Sequence, residues 1–249
     1  MPQNAAERGS MKTDAIVLAA GKGRRMGKNK PKQYVDLCGK PLIYYALKAF
    51  EDSFVDHVIL VCGEGEEDYC RREIVIRYGL HKVTKVVTGG RERYHSVYQG
   101  LLASDGCDYV HIHDCARPLV SQYILERCQH YVEKFKAAVA ATPARDTVKI
   151  ENGDGFIQST PDREKVWLME TPQVFEYGLI RNAYEKLLKE ESRLKDAGVN
   201  ITDDTMVAQM YGGVNARLVE DPYPNLKVTT PTDMDIAAYI LEQQMEKKV

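Results

Sequence analysis

The chain of 249 residues has a formal net charge of −2, with 44% hydrophobic and 28% charged side chains. These proportions can fill a sizeable α/β core and exclude the concentrated positive charge that displaces counterions from duplex phosphates, so no nucleic acid is expected as a partner. Six cysteines, at 38, 62, 70, 107, 115 and 128, form none of the close pairs of zinc ribbons or redox motifs, and no apolar run reaches bilayer length. A cytoplasmic protein with reduced thiols and no membrane segment is predicted.

A polar leader over residues 1–10 reads as disordered or as a remnant of expression, set apart from a single domain over residues 11–249. Ala15 to Leu18 is a short apolar run ending in a glycine-rich turn, as expected of a strand buried on both faces. Leu42, Ile43, Ala46, Leu47 and Phe50 recur at helical spacing behind Pro41, and Val58 to Cys62 is again strand-like, which completes a β-α-β unit. The alternation continues with a polar helix near Glu66 to Tyr78, a strand at Val83 to Val87 and a helix from about Ser96. A strand at Tyr109 to His113, a helix at Gln122 to Phe135 and a strand at Ala137 to Ala141 follow. Such alternation predicts a Rossmann-like three-layer α/β fold: a mostly parallel sheet, helices on both faces, and ligands beyond the carboxyl ends of the strands.

The rhythm breaks after Pro143. Two β-prone segments, Thr147 to Ile150 and Phe156 to Ser159, flank Glu151-Asn152-Gly153-Asp154-Gly155, the signature of a hairpin. It is expected to project as an arm over about residues 143–172 and to seek a second subunit, because an isolated hairpin is marginal in water. Helices near Leu179 to Glu191, Asp204 to Tyr211 and Thr232 to Lys247, with strands near Ala216 to Val219 and Leu226 to Thr229, then resume the pattern.

The first strand opens into Ala19-Ala20-Gly21-Lys22-Gly23-Arg24-Arg25-Met26-Gly27. A P-loop would need Gly-Lys-Ser/Thr, and a dinucleotide loop would need correctly spaced glycines with an acid about 20 residues on; neither is present. What remains is a glycine loop with Lys22, Arg24, Arg25, Lys28, Lys30 and Lys32, suited to a triphosphate, while Ala19 and Ala20 are small enough to admit a flat base. Asp114, at the end of a strand, suits Mg²⁺, which takes one or two carboxylates together with phosphate oxygens. Ser96 and Thr202-Asp203-Asp204 read chiefly as helix starts, and Glu190 to Lys195 as a solvated charge run.

The glycine loop followed by Pro31-Lys32-Gln33-Tyr34, Gly39-Lys40-Pro41, Gly89-Gly90-Arg91-Glu92-Arg93 and Ser96-Val97 resembles the 2-C-methyl-D-erythritol 4-phosphate cytidylyltransferase family. The likeness extends through His113-Asp114-Cys115-Ala116-Arg117-Pro118, Asp146-Thr147-Val148-Lys149, Thr171-Pro172-Gln173-Val174-Phe175 and Asn225-Leu226-Lys227-Val228-Thr229. It implies an enzyme of the non-mevalonate isoprenoid pathway that joins CTP to a polyol phosphate, releases pyrophosphate and uses Mg²⁺ or another divalent cation. By the same resemblance, Arg25, Lys32, Arg163 and Lys227 are the catalytic cations, and Ala19, Ala20, Gly21, Gly23, Gly90, Ser96 and Asp114 bind CTP. Asp114, Arg117, Thr147, Arg163 and Thr171 would face the second substrate, Asp114 also the metal, and the arm of each subunit would complete its partner's site in a homodimer. Departures at Cys115, Pro224, Leu226 and Met206 to Gln209 leave ribitol 5-phosphate open as the acceptor.

The chemistry fits these side chains. A phosphate monoester with a second pKa near 6 is already largely dianionic at neutral pH, so it needs no general base. Consistent with that, the chain carries no evident Ser-His-Asp or Cys-His constellation. The barrier lies in bringing two anions together, which fixed cations lower. A non-catalytic nucleotide-binding protein and a nicotinamide oxidoreductase are the readings of other classes.

Overall fold

The computed structural model describes residues 11–21, 31–104 and 106–246; the leader expected over residues 1–10 lies outside them. Strand β1 (Thr13–Leu18) is buried throughout, and its side chains alternate between two cores. Ala15 and Val17 join one apolar cluster, Ile16 and Leu18 another. A 3-10 turn at Lys32–Tyr34 and the paired short strands β2 (Asp36–Leu37) and β3 (Lys40–Pro41) lead into α1 (Leu42–Glu51). Next come β4 (His57–Cys62), α2 (Glu67–Tyr69) running into a π-helical stretch at Cys70–Ile76, and β5 (Val83–Thr88). Helix α3 (Arg93–Ala103), β6 (Tyr109–Asp114), α4 (Gln122–Phe135) and β7 (Ala137–Pro143) follow.

The predicted hairpin forms from β8 (Ile150–Glu151) and β9 (Ile157–Ser159), a two-stranded sheet of its own in which every residue is exposed. Its base is not free: β10 (Trp167–Glu176) pairs Trp167 with Pro143 and Met169 with Ala141, so the arm grows out of the main sheet. The chain closes with α5 (Tyr177–Lys189), α6 (Glu191–Asp196), α7 (Asp204–Gly212), β11 (Arg217–Glu220) and α8 (Pro231–Glu246). No helix among the described residues is long and apolar enough to cross a membrane.

The seven-stranded sheet has the order β11-β7-β10-β6-β1-β4-β5. It is parallel except at β10, which runs antiparallel to both β6 and β7. One face packs on α1 and α4 through Ile43, Leu47, Phe50, Ile124 and Val132; the other packs on α3, α5 and α7 through Val97, Leu101, Ile180, Tyr184 and Val207. The three-layer expectation holds.

Three expectations about elements need correction. The ten-residue β10 is not among the expected strands, its first part being assigned to the arm; the structure accommodates Pro172, which has no ladder donor, at a register shift between Met169 and Gln173. The segment near Leu226 to Thr229 is not a strand. Single bonds hold it instead, such as Val228 N–H to the Ala116 carbonyl at 2.8 Å. The polar helix near Glu66 to Tyr78 is mostly π-helical.

Candidate functional site

Strand β6 ends in Asp114 between β1 and β10, at the carboxyl edge of the sheet. This carboxylate is buried and receives Arg93 Nε on Oδ1 at 3.2 Å and Lys227 Nζ on Oδ2 at 2.6 Å. Burial alone would raise its pKa; Arg93 and Lys227 outweigh it and hold the group well below the usual carboxylate range. Arg93 in turn sends both terminal nitrogens to the two oxygens of Asp204, each at 2.8 Å, a bidentate fork that fixes its plane. Asp204 opens α7, whose first turn is tied to β10 because Gln173 Oε1 accepts the Asp204 and Thr205 amides at 2.9 and 3.0 Å.

A relay of hydrogen bonds orients the strand end. The Asp114 amide donates to Thr171 Oγ1 at 3.2 Å, Thr171 is bonded to His113 Nδ1 at 3.0 Å, and His113 Nε2 reaches the Arg117 carbonyl at 3.1 Å. Since that carbonyl only accepts, Nε2 carries the proton and the Thr171 hydroxyl donates to Nδ1. Burial lowers His113 and His111 to about 4, so both rings are neutral structural groups; His111 pairs with Gln129. Arg117 Nη1 holds the Asn225 carbonyl at 2.6 Å, and the Asn225 amide holds the Thr171 carbonyl at 2.8 Å. The segment carrying Lys227 is thereby fastened against β10. Lys32 Nζ donates to the Val228 carbonyl at 3.0 Å, which brings the two lysine-bearing segments together.

Beside this cluster lies a tight turn between β5 and α3. A Cβ on Gly89 would come 2.5 Å from Ala20 Cβ and 2.7 Å from Ser96 Oγ, and one on Gly90 would come 2.3 Å from His95 Cβ. Only glycine permits so close an approach of the two strand-end loops. The Gly90 amide donates to Ser96 Oγ at 3.0 Å, while Ala19 is buried and Gly21 is exposed at the rim. A flat, polar-edged ligand could lie against this glycine–alanine surface, with its anionic end toward the cations around Asp114.

The sequence profile of the 2-C-methyl-D-erythritol 4-phosphate cytidylyltransferase family matches residues 13–243. The chain belongs to this family. It is 44% identical over 235 residues to the 2-C-methyl-D-erythritol 4-phosphate cytidylyltransferase of Lachnoclostridium phytofermentans, covering 94% of this chain and 98% of that protein. The Clostridium botulinum protein of the same name is 43% identical over 230 residues, covering 92% and 99%. Among solved structures, the 4-diphosphocytidyl-2C-methyl-D-erythritol synthase of Anaerococcus prevotii superposes with a TM-score of 0.79 at 29% identity, covering 93% of this chain and 99% of that one. The Francisella tularensis 2-C-methyl-D-erythritol 4-phosphate cytidylyltransferase gives 0.74 at 27% identity, covering 92% and 99%.

As a member of this cytidylyltransferase family the chain is a nucleotidyltransferase, as its motifs imply. Of the residues the resemblance singles out, Asp114, Arg117, Thr171 and Lys227 form one bonded network, Lys32 is linked to it through Val228, and Ala20, Gly90 and Ser96 meet at the neighbouring turn. Gly23 and Arg25 lie outside the described residues. Thr147 and Arg163 are exposed on the arm side, where Arg163 Nη1 donates to the Arg145 carbonyl at 3.2 Å. Sequence reasoning gave no role to Arg93, Gln173 or Asn225, and read Asp204 only as a helix start. Arg93 stands inside the Gly89-Gly90 motif that was noticed, but its partner Asp204 is 111 residues away.

Proposed function

We propose that the chain transfers the cytidylyl group of CTP to 2-C-methyl-D-erythritol 4-phosphate, making 4-CDP-2-C-methyl-D-erythritol and pyrophosphate, as a cytoplasmic homodimer. One observation carries the residue assignment: a buried carboxylate at a strand end faces Arg93 and Lys227, with Lys32 and Arg117 fastened to the same segment. The cytosine would lie on Ala19, Ala20, Gly21 and Gly90 with Ser96 at its edge, and Arg117 and Thr171 would face the polyol phosphate. An oxygen of that phosphate attacks the α-phosphorus of CTP, forming a new P–O bond, and the bond to the β-phosphate breaks with its electron pair leaving on pyrophosphate. Lys32 and Lys227 would offset the charge that grows on the transferring and leaving groups, contacts that count only if they strengthen in the transition state. Arg25 and Gly23 would extend the triphosphate cradle, and Arg163 and Thr147 would reach the site of a second subunit through the arm.

Asp114 fits a magnesium ion as one carboxylate among phosphate oxygens, because each of its oxygens keeps a lone pair beyond the one engaged by Arg93 or Lys227. When bound, such an ion neutralises phosphate charge. Lys227, held at Asp114 Oδ2, would stand ready beside the reacting phosphates.

The deciding assay is pyrophosphate release from CTP offered with methylerythritol phosphate, with ribitol 5-phosphate and with no acceptor. Turnover with the first alone is expected. Preference for ribitol phosphate would move the assignment to that acceptor, and equal background in all three would leave a nucleotide-binding protein without this activity. Replacing Lys32 with Ala is expected to lower turnover at least about tenfold, the loss of one transition-state contact; near-normal turnover would remove Lys32 from the mechanism.

A further inference from the structure

We propose that Glu191, on the six-residue helix α6, is a positioning residue for the base-binding turn, acting through Tyr94 and His95 on Gly90 and Ser96. The sequence reads its segment as a solvated charge run. The structure instead turns the Glu191 side chain inward: Oε1 accepts from the Tyr94 hydroxyl at 2.8 Å and from Lys195, and Oε2 meets His95 Nε2 at 3.2 Å. The other ring nitrogen of His95, Nδ1, accepts the Glu92 backbone N–H at 3.2 Å. A backbone N–H can only donate, so Nδ1 is bare, Nε2 bears the proton of the neutral ring, and that proton points at Glu191. The carboxylate therefore selects both the tautomer and the ring orientation.

His95 is where this fixing reaches the turn. Glu92 caps α3, its side chain accepting the His95 amide while the His95 ring takes the Glu92 amide, a reciprocal capping box in which histidine stands in the usual Glu or Gln position. Gly90 lies flat against the same residue, since a Cβ there would come 2.3 Å from His95 Cβ, and the Gly90 amide is held by Ser96 Oγ at 3.0 Å. Tyr94, its ring centroid 4.5 Å from that of His95, adds the second tether. A displaced His95 would shift Gly90 and Ser96 together, and small misplacements of binding groups are costly.

The inference rests on reading Gly90 and Ser96 as the base contacts, and the experiment separates the two. Steady-state KM values for CTP and for methylerythritol phosphate, kcat and melting temperature would be measured for Glu191→Ala, Glu191→Lys, His95→Glu, the double variant His95→Glu/Glu191→Lys, Lys195→Ala and Ser96→Ala. Glu191→Ala is expected to raise KM for CTP about fivefold, the loss of two partly buried charge-assisted hydrogen bonds transmitted in part, with kcat and the acceptor's KM nearly unchanged. Lys195→Ala, which spares both tethers, is expected to leave KM for CTP unchanged. The double variant restores an acceptor for the Glu92 amide and an opposite charge facing it, so it is expected to recover most of what each single change loses. An unchanged CTP KM in Glu191→Ala beside a raised one in Ser96→Ala would overturn the positioning role alone. An unchanged value in both would overturn the base-site reading and this inference with it. A fall in kcat and melting temperature without a selective change in KM for CTP would show Glu191 to be structural only.

Discussion

Asp114, Arg93, Asp204 and Lys227 find their ionic partners within one chain, whereas on the hairpin Ile150, Phe156 and Ile157 are 45, 72 and 66% exposed. The first is a preorganised electrostatic frame, fixed by a bidentate Arg–carboxylate fork and a relay of backbone and side-chain bonds before any substrate arrives. The second is a two-stranded ribbon whose apolar side chains have little to pack on within its own chain. Folding of one chain builds the first region; in the homodimer proposed above, a second copy would supply what the ribbon packs on.

The contrast breaks first at Asp204, which is fully buried under Arg93. Asp204→Ala leaves the Arg93 fork facing an empty position and is expected to cost about 3–5 kcal/mol of stability, read as a lowered midpoint in denaturant unfolding. Loss of less than about 1 kcal/mol would mean that the frame is not set by this pair. Lys227→Ala removes a half-exposed cation and should spare the fold while lowering turnover about a hundredfold in the pyrophosphate assay. On the arm the order is reversed. Phe156→Ser with Ile157→Ser removes side chains already in water, so melting of the isolated subunit should barely move, while sedimentation should show monomers and activity should fall about tenfold or more on dilution. A dimer that survives this double change would place the contact elsewhere.

Acid sharpens the same comparison with a smaller effect. Burial holds His111 and His113 at about 4, below their ordinary 6.5, so between these values the unfolded chain binds protons that the folded chain refuses. Their contribution to stability is fully present above about pH 6.5 and is lost as the pH falls toward 4. Asp114, held below the carboxylate range, adds its own loss only at still lower pH. The melting temperature is expected to fall across this window, and His111→Gln to reduce the slope there by roughly half; a flat profile would mean that the rings are not buried neutral.

Much of the framework was legible because it is local. Helix α4 begins and ends where its sequence says: Ser121 Oγ accepts the Ile124 amide at 3.2 Å, and Lys136 stops the helix in the left-handed conformation. The buried run of β1 and the Gly-rich hairpin turn were equally plain. Strand β10 was not, because it pairs in the sheet between β6 and β7, a placement that depends on distant strands. The segment around Lys227 misled in the other direction: its apolar residues suit a strand, yet it pairs with no strand among the described residues and is held by Arg117, Asn225 and Lys32.

The sequence by itself determined the alternation of strands and helices, the glycine turns, and the cationic and acidic side chains brought to the carboxyl ends of the strands, because periodicity and turn chemistry act between near neighbours. Tertiary structure alone decided that β10 inserts antiparallel, that Arg93 locks onto Asp204 and Asp114, and that Glu191 turns from solvent to His95. Those pairings join residues far apart in the chain. Their partners are selected by which faces the packed sheet and helices bring within hydrogen-bond reach, and no local pattern encodes that.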